Sequence, residues 1–595
     1  MSKQAGLQIE GEFLDLVPGT VIDLEEQNIF LQLEEEVQGD YTLPFEAVVN
    51  EKNLRLTDYN SVINSVGMGK KDAVLWDGTI QHSRGTVKIE KLRSNLNDIK
   101  KGSISLYYLK DVSSFYSEIK DKKLTDLSYD PIVLPADGSA GLVSVRNALN
   151  LSWAVGNCDT YDYVVYPVLG DEEEHPFGGT YRQVWNYMRY TATPTGGLPN
   201  CTLEYSPGTT STGETYFNSY TPFPYLRNVL LKIFDEAGWK LQGDILTDPD
   251  FKKITIIYFQ QIIINRRDQN PTFRINEHLP PINISTFLIE LSKRLGIWFD
   301  YNSSLKTATI KLRKDAISSS DRVDISNIVS PVYQRIVIDQ NIIYALDEYR
   351  NENESFSLSK FNNMGSVLTE SALPTPTSSI ADDLYLVKSK NVYVACVTNN
   401  GTTFFWETVS QNKTGYLPAG YTKKITTKCY IPSMEIQDQT FGGVNTKYYI
   451  PYCKDEMLIR PRTYREIDID TSTDHFYLAY YHGPQEDTTG HVYPYASPHP
   501  YTITGVNVGD DSLTFLFNDG AEERGLYHRN WKTFLDTLTQ REKYTFTTYC
   551  DIVTFKNLSF GQIVVVNGVQ FYLQNKKSRI PYDGIATIEC SRIVS

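Results

Sequence analysis

One pattern stands twice between residues 221 and 313: an amphipathic helix, a glycine, then an aromatic-rich strand. A chain with this pattern must lay two helices on a sheet, because each helix has one apolar stripe to bury. In the first copy Leu226, Val229, Leu230, Ile233, Phe234 and Ala237 recur at helical spacing. Pro222 and Pro224 mark the entry, Gly238 the exit, and Trp239 and Leu241 open a strand. In the second copy Ile284, Phe287, Leu288, Leu291 and Leu295 form the stripe, with Ser285 or Thr286 as the expected cap. Gly296 ends it, and Ile297, Phe299 and Tyr301 alternate along the next strand. Asn302 to Ser304 turn the chain back into Ala308, Ile310 and Leu312. Gly238 and Gly296 take the same post-helical position, where the left-handed conformation favours a residue without Cβ. Two readings stay open: two ordinary helix–strand units of an α+β domain, or a scaffold of repeated lobes.

A chain of 595 residues exceeds one hydrophobic core, so roughly three to five domains are expected. Apolar content of 41% and charged content of 22% exclude a mainly disordered chain. The 41 tyrosines, against 26 Phe and 7 Trp, suit strands and half-buried interfaces. A net charge of −15 argues against nucleic acid as the main partner, since phosphate binding needs a basic surface. MSKQAGLQIEGEF has no apolar core of a signal peptide, and no run reaches the length of a membrane span. ITIIYFQQIIIN (254–265) comes nearest and reads as a buried strand pair. Seven widely spaced cysteines without a CxxC read as free thiols, in preference to a Cys158–Cys201 bridge.

The fold class expected is α+β and β-rich, with small barrel or sandwich lobes around the paired helix–strand units. Residues 1–125 read as an N-terminal β-barrel-like lobe. Tyr41, Leu43 and Phe45 alternate there around Pro44, which marks an edge strand, and Asp77-Gly78 marks a hairpin. Val87 and Ile89, then Ile104, Leu106 and Tyr108, continue a meander. Residues 126–220 are rich in turn formers and read as an irregular insertion, and 221–350 hold the duplicated unit as a second lobe. Residues 351–510 form a loop-rich β region. Residues 511–595 form a C-terminal module: Leu513, Phe515 and Phe517 alternate, and Tyr527, Trp531, Phe534, Leu535 and Leu538 make a helical stripe. Tyr544, Phe546 and Thr548 then start a strand, Asn567-Gly568 makes a hairpin, and Asp583-Gly584 turns into a last strand that ties the chain end into a sheet.

The search for chemistry yields no catalytic, cofactor-binding or metal residue. His475, His482, His491 and His499 fall at intervals that match no zinc spacing and read as loop histidines. Glu172, Glu173, Glu174 and His175 share composition, not order, with a metalloprotease helix. No nucleophile elbow, phosphate loop or dinucleotide fingerprint occurs. Paired glycosidase carboxylates leave no local motif, so acidic residues alone do not decide that question. Aromatics of the 440–500 loops read as core or interface rather than sugar platforms.

Two stretches resemble known proteins. GDYTLPFEAVVNEKNLRL, AVLWDGTIQHSRGTVKIEKL and GSISLYY resemble the N-terminal barrel of phage tail hub and tail-associated (baseplate hub) proteins. RGLYHRNWKTFLDTLTQREKYTFTTYCDIVTFKNLSFGQIVVVNGVQFYLQNKKSRIPYDGIATIEC looks like the C-terminal module of virion proteins from phages of Bacteroidetes hosts. The resemblance covers about a third of the chain. It implies a structural virion protein, a tail or baseplate hub joining tail tube to tail tip, and no enzyme. It implies a homotrimer with barrel-like lobes in a pseudo-sixfold ring, assembled in the host bacterial cytoplasm. Implied partners are the tail tube or distal tail protein and tail spike, fibre or tape-measure proteins. A receptor- or carbohydrate-binding tail protein and a polysaccharide-cleaving enzyme stand as alternatives.

Overall fold

The computed structural model describes residues 5–28, 41–57, 71–95, 98–110, 112–119, 121–133, 149–154, 157–174, 180–190, 201–203, 220–260, 262, 272–302, 305–317, 321–337, 343–347, 365–381, 383–387, 392–399, 403–409, 422–441, 444–453, 475–486, 492–497, 530–531, 534 and 542–593. Statements about structure refer to these residues. The chain is α+β and β-rich, as expected.

The largest sheet has 14 strands. Its first half is the meander expected near the N-terminus: Lys71–Asp77, Ile80–Asn95 and Asp98–Lys110 pair antiparallel in order, with Ala5–Ile9 beside the first. The hairpin loop is Gly78-Thr79, one residue beyond the expected Asp77-Gly78, because Asp77 pairs with Ile80 and Gly78 takes φ 61°. Phe45 is buried while Leu43 is 54% exposed, with Pro44 lying between two short strands. The second half comes from the other end of the chain. Glu542–Tyr549, Ile563–Val566, Val569–Ile580 and Ile585–Arg592 form it, and the last of these lies between two neighbours. Asn567-Gly568 closes its hairpin with φ 50° and 80°, the left-handed pair that a type I′ turn needs. The halves meet where Ile22–Gln27 pairs antiparallel with Asn575–Ile580.

The two helix–glycine–strand units share one sheet. Leu226–Glu236 and Ile284–Leu295 are helices, and all the stripe residues named for them are buried. Lys240–Gln242 runs parallel to Thr307–Leu312, and Ile297–Asn302 antiparallel to it. The second helix is capped two to three residues earlier than expected: Asn283 is the N-cap, so Ser285 and Thr286 lie inside the first turn. Phe115, from the helix Val112–Ile119, stacks on Phe234 at 4.6 Å and touches Trp239 and Tyr301. This core also takes Cys429, Phe476 and Leu478 from late in the chain. It buries the polar side of the second helix too. Glu290 pairs with Lys293 at 3.0 Å, and Arg294 Nε donates to Cys429 O at 2.9 Å.

Residues 126–220, expected to decorate the fold, supply Trp153, Tyr163, Val165 and Tyr166 to a core shared with Ile450, Tyr481 and Tyr495. Ile254–Ile257 is fully buried and pairs with Phe476–Glu486; its expected partner strand in 258–265 is not formed by the described residues there. Trp531 and Phe534 are buried, while Tyr527, Leu535, Leu538 and the 513–517 strand lie outside the described residues. Cys158, Cys396, Cys429, Cys453, Cys550 and Cys590 are free thiols, so Cys158 forms no bridge to Cys201. Among the described residues no helix is long and apolar enough to cross a membrane.

Candidate functional site: the buried seam between the chain's two ends

The strand pair that joins the first and last modules carries charge on its buried face. Along Ile22–Gln27 the side chains alternate buried and half-buried, so Glu26 falls in phase with Ile22 and Leu24 and is 5% exposed. Lys576 stands directly opposite and is 6% exposed. Its Nζ lies 2.8 Å from Glu26 Oε2 and donates to Leu558 O at 3.1 Å. The rings of Phe555 and Phe560 flank the ammonium at 5.4 and 5.2 Å. Lys110, at the end of the meander, pairs with the other Glu26 oxygen. Lys556, on the helix Ile552–Asn557, donates to Gln81 O at 2.8 Å. Burial works to raise the Glu26 pKa, but Lys110 and Lys576 together hold it well below the usual carboxylate range.

Backbone and amide bonds run the length of the same seam. Asn28 Nδ2 donates to Leu573 O at 2.8 Å, and Asn575 Nδ2 to Glu25 Oε1 at 2.8 Å. The Tyr582 N–H donates to Asp77 Oδ2 at 3.2 Å. His82 completes the buried set. Leu75 pairs with Ser83 and Trp76 with Gln81, so His82 is the extra residue of a β-bulge. Bulges re-aim side chains, and this one is 7% exposed with no hydrogen bond to either ring nitrogen. Burial, reinforced by Lys110, Lys556 and Lys576, pushes its pKa down to about 4, with Glu26 working the other way.

The outer face of the seam is a groove of about 340 Å³ whose lining includes Asp23, Glu25, Lys577, Arg579, Asp583 and Ile585. Its pairs, Arg579–Asp23 at 3.1 Å and Lys577–Glu589 at 3.1 Å, are solvent-exposed and contribute little. At one end of the large sheet Val329–Val337 is an edge strand with Val332 78%, Tyr333 54% and Val337 56% exposed.

Asp77 and Asp583 stand out in the sequence only as turn residues, and Glu26, His82, Lys110 and Lys576 do not stand out at all, although a signal exists for two of them. Glu26 and Lys576 are charges in the apolar phase of alternating strands, IDLEEQ and NKKSRI. The bulge at His82 has no such signature. Of the loop histidines, His475 packs tilted against Tyr430 at 4.7 Å and His482 Nε2 lies 3.1 Å from Ser497 Oγ. His175, His491 and His499 lie outside the described residues, while Glu172, Glu173 and Glu174 run along the strand Val168–Glu174. Among the described residues no group of three potential ligands gathers. Tyr477, Tyr480, Tyr481, Tyr493 and Tyr495 are buried, so these rings form core rather than an open stacking platform.

No protein-family model matches the chain, and no curated protein does. Among solved structures the chain is similar to the 43 kDa tail protein of prophage MuSo2 from Shewanella oneidensis. That alignment has 7% identity and a TM-score of 0.31 over 99% of this chain and 97% of that one. It is similar to the tail protein from Neisseria meningitidis MC58, with 7% identity and a TM-score of 0.26 over 100% and 97%. It is also similar to the prophage tail protein gp18 from Listeria monocytogenes EGD-e, with 7% identity and a TM-score of 0.25 over 99% and 94%. All three are tail proteins.

Proposed function

We propose that this chain is a structural component of a phage tail, a hub that joins the tail tube to the tail tip and works by assembly rather than catalysis. One observation carries the reading. The two stretches that resemble tail virion proteins lie at opposite ends of the sequence, yet their strands form one continuous sheet through the pairing of Ile22–Gln27 with Asn575–Ile580. The resemblance therefore attaches to a single structural unit. The edge run Tyr333–Val337 adds support, since an edge that no described strand covers can pair with a neighbour. In this reading the hub is a homotrimer in the virion, assembled in the host cytoplasm. Its partners are a tail tube or distal tail protein on one side and spike, fibre or tape-measure proteins on the other.

Mass photometry of the purified chain tests the reading. The expected species has three times the 67.8 kDa chain mass. A strict monomer that cleaves host polysaccharide with many turnovers, and loses that activity on a single carboxylate substitution, would replace the hub with an enzyme.

A further inference from the structure

The seam contains a titratable group placed where its charged form has no room. His82 is buried on a bulge, and its imidazole has no hydrogen-bond partner. The charged groups that act on it come from four elements: Glu26 on Ile22–Gln27, Lys110 on Asp98–Lys110, Lys556 on Ile552–Asn557 and Lys576 on Val569–Ile580. Asp77, on the strand paired with that of His82, is buried as well: its Oδ2 accepts the Tyr582 N–H and its Oδ1 has no hydrogen-bond partner. Glu26 already carries two lysines. With a neutral imidazole three ammonium groups already stand around Glu26, and a proton on His82 adds a fourth cation.

Each side of the seam has a core of its own, and Ile580 at the end of the C-terminal strand also packs into the N-terminal one. Leu7, Ile9, Leu75, Ile104 and Leu106 pack in one cluster, and Phe546, Phe555, Phe571 and Ile588 in another. What joins them is chiefly the strand pair itself and the polar contacts along it.

We propose that His82 is an acid-sensitive latch: proton uptake on its imidazole loosens the pairing of Ile22–Gln27 with Asn575–Ile580 and frees the C-terminal module from the N-terminal one. The inference stands independently of the tail reading. Opening returns the imidazole to an ordinary value of 6.5 from about 4. Linkage then makes the open form about 30-fold more populated at pH 5 than at pH 8.

Hydrogen exchange on the full chain measures this, with amide rates referred to their intrinsic chemical rates at each pH. Amides of 22–27 and 575–580 that donate across the seam should lose protection about 30-fold between pH 8 and pH 5, while those of Glu542–Tyr549, paired within the C-terminal module, change less. His82→Phe and His82→Gln should flatten the seam profile. Asp23 and Arg579 are directly opposed, so a disulfide from Asp23→Cys with Arg579→Cys should suppress the acid response in a chain that keeps His82, and reduction should restore it. That comparison decides the matter even if neither His82 variant folds. Unchanged seam protection from pH 8 to pH 5, an equal rise in the His82 variants, an oxidised staple that leaves the response intact, or an equal rise in Glu542–Tyr549 would each overturn the latch.

Discussion

Gly238 and Gly296 occupy the same place in the two helix–strand units, with φ of 70° and 65°, yet alanine should cost very different amounts at the two positions. A Cβ in the left-handed region costs roughly 1–2 kcal/mol by itself. At Gly238 that is the whole penalty, because an added Cβ meets nothing within 4 Å. At Gly296 it would sit 2.9 Å from both Asn530 Cβ and Trp531 Nε1. Neither neighbour can yield easily. Trp531 is fully buried with Arg313 over its ring at 5.4 Å, and Asn530 Nδ2 donates to Leu295 O at 2.7 Å. Overpacking of this kind adds about 1–3 kcal/mol, so Gly296→Ala should cost about 2–5 kcal/mol.

Hydrogen exchange of the two helices reads this locally, which suits a chain of several cores better than a single unfolding curve. Gly238→Ala should raise opening of Leu226–Glu236 about tenfold, and Gly296→Ala that of Ile284–Leu295 by about 30-fold or more. Asparagine separates the two causes, since it tolerates the left-handed conformation but still carries a Cβ. Gly238→Asn should recover most of the loss and Gly296→Asn little of it. Equal costs for the two alanine variants, or equal recovery by asparagine, would refute the packing argument.

Glu26→Ala should destabilise the seam by about 3–5 kcal/mol in denaturant unfolding, because Lys576 is left buried without its carboxylate, whereas Glu26→Met with Lys576→Met should cost far less. Replacing Asn567-Gly568 by Val-Val should break the type I′ turn and give misfolded or unassembled chain by size-exclusion chromatography, since β-branched residues resist φ of 50° and 80°. Stability should fall with acid. His82 and His278 are pushed down to about 4 and about 3, chiefly by burial, so the unfolded chain binds their protons first. Their contribution is complete above about pH 6.5 and is lost as pH falls toward those folded values. Each accounts for about 2 kcal/mol between pH 8 and pH 5 by urea titration, and a flat profile would contradict both burials.

Local pattern carried a good part of the fold. The helical stripes, Gly238, Gly296 and the Asn567-Gly568 turn are local signals with one physical solution, and the structure has them where the sequence puts them. The Asp77-Gly78 loop moved by one residue because a glycine at either loop position satisfies a hairpin. What local pattern does not encode is which distant strands meet. Nothing near Ile22 names Ile580 as its partner, and nothing near Trp153 shows that its core is shared with Tyr481. The polar side of the second helix misleads for the same reason. Glu290, Lys293 and Arg294 look solvent-facing until residues 427–430 cover them.

The buried charges of the seam have a use that pattern alone would not reveal. A strand pair slipped by one residue turns every side chain to the other face. For Ile22–Gln27 that slip would expose Ile22 and Leu24 and bury Asp23 and Glu25, whose cross-strand partners Arg579 and Lys577 now lie in solvent. A slip of two residues keeps the faces but moves Glu26 opposite Gln574 or Ser578, away from Lys576. Glu26 would then be buried without its opposed ammonium, at a cost of several kcal/mol. A purely apolar strand pair would tolerate that second slip. The Glu26–Lys576 pair therefore selects one register out of those that hydrophobic alternation permits. It does so at the joint where two ends of a 595-residue chain must find each other.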